Sequence, residues 1–388
     1  MKVTFLSNYI NHHQIPFSNE MYRRLGKDYV FIQTQPMEEE RRNMGWESKE
    51  DTLPYVHCLY EEEEYCKNLI MESDCVLAGW SDQEELVQQR LNAGKLTFRI
   101  SERIYREGQW KAISPRGLVH KYQEHIRYRK KPVYLLCAGA YVASDFHLIH
   151  AYPHKMYRFG YFPEMRTYEG TQLWEKKSSE QIDIIFAGRF LPLKHPEYMI
   201  RLAADLKKDF PKQPFKIHMA GSGELEEQLH HLAKTLRVED LVVFYGFQSP
   251  EKVRDLMEQC HIHIFPSNRL EGWGAVVNEA MNSGCVVVAN SEAGAVPYLI
   301  DSGENGLIYH GSYEHLLEQT EELFRNPEQL GRMAQKAYDT IQSSWNAEHA
   351  VNELLRCIEE ARENGSFEPA KEGPLSVAPV LRLKKIAG

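Results

Sequence analysis

The sequence predicts an α/β protein with parallel sheets, divided into two domains, and three observations carry that prediction. Short apolar runs rich in β-branched and aromatic residues alternate with longer stretches of helical period, the pattern of strands joined by crossover helices. The length of 388 residues suits two domains, each large enough for its own core. Several strand candidates end in Gly or Ser, small residues that mark the carboxyl edge of an open sheet, where ligands sit.

Taken in order, strands are expected at 2–7, 29–34, 55–60, 75–79, 96–100, 134–139 and 155–160 in the first half. The second series is expected at 182–188, 215–221, 241–246, 262–267, 285–290 and 307–310. Between them, residues 161–181 are polar, carry one Pro and one Gly, show no clean period, and read as an interdomain linker. Domains are therefore placed at 1–160 and 182–345, followed by a long helix over 346–364 with Trp345 packing near its start. Residues 365–388 hold three prolines and little periodicity, and read as a tail that is loose or draped over the surface. No internal repeat stands out.

Composition narrows the function classes. The chain is 43% hydrophobic and 26% charged, with a net charge of −9, which argues against a protein that wraps nucleic acid. No apolar run approaches the roughly 18 residues needed to span a bilayer. The start, MKVTFLSNYINHHQ, turns polar after a few residues, so neither a transmembrane helix nor a signal peptide is expected. The seven cysteines are scattered without a C-x2-C pair, which suits reduced thiols in a cytosol better than disulfides or a zinc site.

The most informative stretch is IHIFPSNRLEGWGAVVNEAMNSGCVVVANSEAGAVPYLID, residues 262–301, which reads as strand, glycine-bearing loop, helix, strand, loop, helix. Glu271 stands in the loop before Gly272, Trp273 and Gly274, and Glu279 follows in the first turns of a helix that starts near Ala275. Glycines let a backbone approach a ligand with free N–H groups, and a helix N-terminus adds positive partial charge, so the expected guest is a phosphate or diphosphate. Two carboxylates beside such a site are poor partners for phosphate but good acceptors for hydroxyls. A guest with both phosphates and hydroxyls is a nucleotide sugar. Arg189 and Lys194, which follow the strand-ending Gly188 before a helix near Pro196, offer a planar fork and a compact charge to the same guest. AGSGELEE, with Gly221 and Gly223, is a weaker element, because the third glycine of a dinucleotide fingerprint is missing.

The segments GRFLPLKHPEYMI, HMAGSGELEEQL, VVFYGF and EGWGAVVNEAMNSGCVVVANSEAGAVPYLI resemble, in order and spacing, the motifs of family 4 glycosyltransferases, with Glu271 and Glu279 as their E-x7-E pair. The resemblance spans about residues 182–345. It implies a GT-B fold: two Rossmann-like doubly wound domains facing a central cleft, with the C-terminal helix crossing back to the first. It implies retaining transfer of a sugar from a UDP- or GDP-sugar to an acceptor hydroxyl, without a cofactor and without a required metal. Arg189 and Lys194 would then hold the diphosphate, and Glu271 with the backbone of Gly272, Trp273 and Gly274 would orient sugar and phosphate. Arg189, Lys194 and Glu271 are the expected catalytic residues. Glu279 would accept from ribose hydroxyls, and Gly246 with Phe247 would meet the base.

The first half departs from the family pattern. Where relatives often carry a glycine pair after the first strand, this chain has Asn11, His12 and His13. His13 is the preferred ligand-facing candidate, with loop capping as the alternative; the two adjacent imidazoles are expected to diverge. Glu102, after the strand at 96–100, is either an acceptor-side residue or an ion-pair partner of Arg103 or Arg106. From Arg99 to Pro132 ten Lys or Arg face three Glu, a net of +7 that leaves −16 for the rest of the chain. That stretch is either a solvated helical face or a patch drawn to an anionic membrane or a lipid-linked acceptor. The implied setting is cytoplasmic, either free or peripheral on the membrane's inner face, in polysaccharide or glycolipid synthesis. Rival readings are a nucleotide-sugar epimerase of the same fold and a non-catalytic sugar-nucleotide-binding protein. A phosphorylase would need a cofactor-bearing lysine and a longer chain.

Overall fold

The computed structural model describes residues 1–38, 52–177 and 180–381. Among the described residues the chain divides into two compact units, 1–164 together with 344–381, and 165–343. No helix among the described residues is long and apolar enough to cross a membrane.

The first unit is built on seven parallel strands: β1 (Val3–Ser7), β2 (Tyr29–Gln33), β3 (Val56–Cys58), β4 (Cys75–Ala78), β5 (Thr97–Ser101), β6 (Val133–Ala138) and β7 (Met156–Phe159). Their order is β3-β2-β1-β4-β5-β6-β7. β1, β2, β4 and β6 are buried throughout, as a parallel sheet covered on both faces requires. One core gathers Leu6, Ile32, Val76, Leu135 and Phe146. The strand order reverses at β1 and β4, whose ends are joined by the Asn8 amide donating to the Trp80 carbonyl at 2.8 Å.

Helix Ala347–Asn364 belongs to this unit, and Arg24 on helix Ile15–Leu25 meets its Glu348 at 3.4 Å. Trp345 is buried just before it. The part of the tail that is described, up to residue 381, is neither loose nor merely draped. Arg158 donates to Ser376 at 2.7 Å, Leu375 to Arg158 at 2.8 Å and Ala378 to Met156 at 3.0 Å, with Val377 bridging Tyr157 antiparallel. The segment thus satisfies the open edge of β7, a place where an unpaired strand would invite foreign pairing. Residues 382–388 of the expected tail lie outside the described residues.

The second unit carries β8 (Ile182–Ala187), β9 (Phe215–Ala220), β10 (Val242–Gly246), β11 (Ile262–Phe265), β12 (Val286–Asn290) and β13 (Gly306–Tyr309) in the order β10-β9-β8-β11-β12-β13, again all parallel. Its core includes Ile184, Phe186, Met219, Ile264, Val288 and Leu316. The expected linker is largely part of this unit. Arg166 pairs with Asp255 at 2.8 Å and Glu258 at 2.5 Å, and Lys177 donates to the Cys260 and Ser283 carbonyls. Residues 178 and 179 of that stretch lie outside the described residues.

Candidate functional site

In the second unit the strand order reverses between β8 and β11, and ligands of doubly wound sheets bind at such a switch point. The loops after these two strands carry the residues that the sequence singled out. Asn268 donates its amide to Leu193 at 2.9 Å, which ties the loops together. Lys194 Nζ then lies 2.7 Å from Glu271 Oε2, with both side chains mostly buried. Arg189 is exposed beside them and has no side-chain hydrogen bond or ion pair among the described residues. Beneath the pair, His263 on β11 is fully buried; burial and the charge of Lys194 hold its pKa at about 3, so it stays neutral and adds no competing cation.

The Glu271–Gly274 turn is fixed from its other side too. Gly294 donates to Gly272 at 3.2 Å and Ala295 to Trp273 at 2.9 Å, while the buried Trp273 indole donates to Asn278 at 2.8 Å. Gly274 has φ +90°, and a Cβ there would stand 2.5 Å from the Phe265 ring, so only glycine fits. Helix Val276–Asn282 follows and presents Glu279. This carboxylate is half-buried and has no side-chain partner among the described residues. Loss of water around it pushes its pKa up to about 7, with Arg254 and Arg166 opposing that rise.

Gly221 and Gly223 have a packing reason. A Cβ on Gly221 would sit 1.9 Å from the Gly188 carbonyl, and one on Gly223 2.6 Å from that of Phe190. They allow the loops after β8 and β9 to touch, where Phe190 donates to Ser222 at 2.8 Å. Gly246 ends β10 at φ +64°, and the Phe247 ring next to it is 57% exposed. An exposed ring at a strand end offers a face on which a base can stack.

The first unit holds a cavity of about 720 Å³ at the carboxyl ends of β1, β4, β5, β6 and β7. His13 and Glu102, chosen separately from the sequence, both line it. They are linked by Tyr161, which stacks on His13 at 5.8 Å and donates its hydroxyl to Glu102 at 2.6 Å. Burial and the neighbouring His12 lower the His13 pKa to about 3, so His13 is a neutral imidazole there. The expected divergence of His12 and His13 is incorrect: in the turn at 12–14 their rings lie 3.9 Å apart. Among the described residues, no three His, Cys, Asp or Glu side chains are grouped to hold a metal ion.

Glu102 pairs with Arg106, one of the two partners expected for it. The other, Arg103, turns instead to the fully buried Asp145, at 3.1 and 3.2 Å, and its Nη1 has no hydrogen-bond partner among the described residues. Arg99 forks onto Glu84 at 2.6 and 3.0 Å. The sequence reading missed Tyr161, Arg103 and Arg99 as cavity-lining residues. Tyr161 falls within the expected linker, although it follows the strand-ending Gly160; that position is the available signal.

Residues 172–340 match the family described as glycosyl transferases group 1. The D-inositol 3-phosphate glycosyltransferase of Rhodococcus erythropolis is 29% identical over 217 residues, which cover 54% of this chain and 48% of the relative. The chain spans about half the length of that curated relative. A glycosyltransferase from Rickettsia africae superposes with a TM-score of 0.67 at 14% identity, covering 94% of this chain and 99% of the other. Anabaena HepE in complex with UDP gives 0.65 at 16% identity, over 92% and 99%. These structures show the fold: two Rossmann-like parallel-sheet domains of the GT-B type.

Proposed function

We propose that the chain is a retaining glycosyltransferase of the family 4 type that moves a sugar from a UDP- or GDP-sugar to an acceptor hydroxyl. The observation that carries this reading is the meeting of Lys194, Glu271 and the glycine-restricted turn Gly272–Gly274 at the switch point of the second sheet, with Arg189 exposed on the same loop as Lys194. The UDP in the Anabaena structure and the glycosyltransferase names of the relatives agree with it.

In the resting protein Glu271 keeps Lys194 in place. On donor binding, Lys194 and Arg189 meet the diphosphate and stabilise the negative charge that grows as the bond from the anomeric carbon to the phosphate oxygen breaks. The acceptor oxygen attacks from the face the phosphate leaves, and its proton passes to the departing phosphate oxygen; Glu271 orients the sugar and is not a nucleophile. Glu279 accepts from ribose hydroxyls, and Phe247 with Gly246 meets the base. The two cations do the work that a divalent metal would otherwise do, so transfer should persist with a chelator present. The cavity holding His13 and Glu102 receives the acceptor, a glycan or a lipid-linked glycan, in cytoplasmic assembly of polysaccharide or glycolipid.

A donor panel, with and without candidate acceptors and read by released nucleotide and product mass, tests the proposal. Transfer with the anomeric configuration kept supports it. Isomerised donor would instead identify an epimerase, and saturable binding without transfer or hydrolysis a binding protein.

A further inference from the structure

The stretch from Gln109 to Glu124 is amphipathic, but it is mounted the wrong way round for a soluble protein. It consists of a 3-10 turn, Gln109–Ile113, and helix Pro115–Glu124, which buries none of its residues. At about 100° per residue, Leu118, Tyr122 and Val119 share one arc of the helix, and such an arc ordinarily faces the core. Here the least exposed positions are the opposite, polar ones: the side chains of Lys121 and Glu124 are 21% and 17% exposed, while Val119 and Tyr122 are 60% and 55% exposed. Trp110 and Ile113 extend the apolar surface at 70% and 79%. Of fifteen large apolar side chains exposed among the described residues, five lie between 110 and 122.

Charge indicates what covers this surface. The stretch 99–132 has a net charge of +7. Arg99 and Arg103 point inward to Glu84 and Asp145, outside the stretch, which still leaves +5. Arg116 on the helix, and Arg127, Arg129 and Lys130 within six residues of its end, are exposed. Exposed apolar side chains in a stretch rich in exposed cations match the boundary of an anionic bilayer, where rings and aliphatic groups sit among acyl chains and Lys or Arg stems reach back to phosphates.

We propose that residues 109–130 of the first unit dock this protein on anionic membrane surfaces, with Trp110, Ile113, Leu118, Val119 and Tyr122 inserted and the exposed arginines and Lys130 on the headgroups. None of the five apolar residues lines the cavity, so docking is separable from the transferase reading.

The test uses the full chain, sedimented with vesicles of phosphatidylcholine alone and of phosphatidylcholine mixed with phosphatidylglycerol. Binding to the mixed vesicles, weakening as salt rises from about 0.05 to about 0.5 M, is expected. The triple variant Leu118→Gln, Val119→Gln, Tyr122→Gln should bind at least tenfold less while its affinity for UDP stays unchanged. Because all three side chains are exposed, folding should survive; Trp110→Phe gives a second reading by removing the vesicle-induced blue shift of tryptophan emission. Equal binding to neutral vesicles, no binding to either kind, or full binding by the triple variant would each overturn the proposal. So would self-association abolished by the triple variant with no vesicle binding, which would make the occupant a second copy of the chain.

Discussion

The two sheets share one strand order through their first six strands, yet their switch points are furnished in opposite ways. In the second unit the end loops are set by backbone: Gly221, Gly223 and Gly274 permit contacts that any Cβ would forbid, and the side chains left over are Arg189 and Glu279, which have no side-chain partner among the described residues. In the first unit the loops are set by side chains paired with one another: Arg99 with Glu84, Arg103 with Asp145, Arg106 with Glu102. A backbone-built site with spare charged groups suits a ligand part that does not vary, such as a nucleoside diphosphate. A cavity walled by paired side chains can be retuned by exchanging pairs, which suits a variable acceptor.

The largest effect that would break this contrast is expected at Lys194. Lys194→Ala should lower turnover by about 10²–10³-fold, the usual loss when a donor to a developing anion is removed. It should also weaken UDP binding in calorimetry; unchanged affinity and turnover would place the diphosphate elsewhere.

Glu279 comes next, through pH. Its folded pKa of about 7 lies above the ordinary carboxyl value of 4.5, so the folded state holds this proton more tightly than the unfolded state does. Its stability contribution is full below about pH 4.5 and is lost as pH climbs to about 7, by at most on the order of 3 kcal/mol. In Glu279→Gln that slope should vanish, which urea unfolding at pH 5 and pH 8 would reveal. A variant with the wild-type pH profile would show that the carboxyl is well hydrated.

Gly274→Ala should cost about 2 kcal/mol, from the φ of +90° and the clash with Phe265. Gly331, in helix Pro327–Ser343 with open space around it, is the control: Gly331→Ala should add roughly 0.5–1 kcal/mol. Equal midpoints in thermal melts of the two variants would remove the argument that the turn is backbone-built.

The smallest expected change is in the first unit. Glu102→Gln keeps the shape but weakens the links to Arg106 and Tyr161, and should raise the acceptor KM about tenfold, on the order of 1.4 kcal/mol. Donor affinity should stay as it was. A change in donor affinity alone would dissolve the division of labour between the units.

This contrast also governs what could be read from the sequence. Strands announce themselves through local runs, and each one expected is present within a few residues. The EGWG turn is legible because glycine at a strand end is a backbone signal. Arg103 and Asp145 stand 42 residues apart, and Tyr161 and Glu102 stand 59 apart, so nothing local marks their pairing. The stretch after residue 164 misled for the same reason. Its polar side chains are spent on Glu258, Cys260 and Ser283, about a hundred residues further on, and such contacts leave no period.

The segment that seals the β7 edge has a consequence for how the chain is made. The first unit precedes the second in the chain but needs residues 375–378, which follow the second, to close its last strand. The second unit, an unbroken run from 165 to 343, can leave the ribosome whole and fold at once. The unit that starts earlier in the chain is therefore completed later, and a message cut short between residues 343 and 375 yields a finished second sheet attached to an open-edged first one.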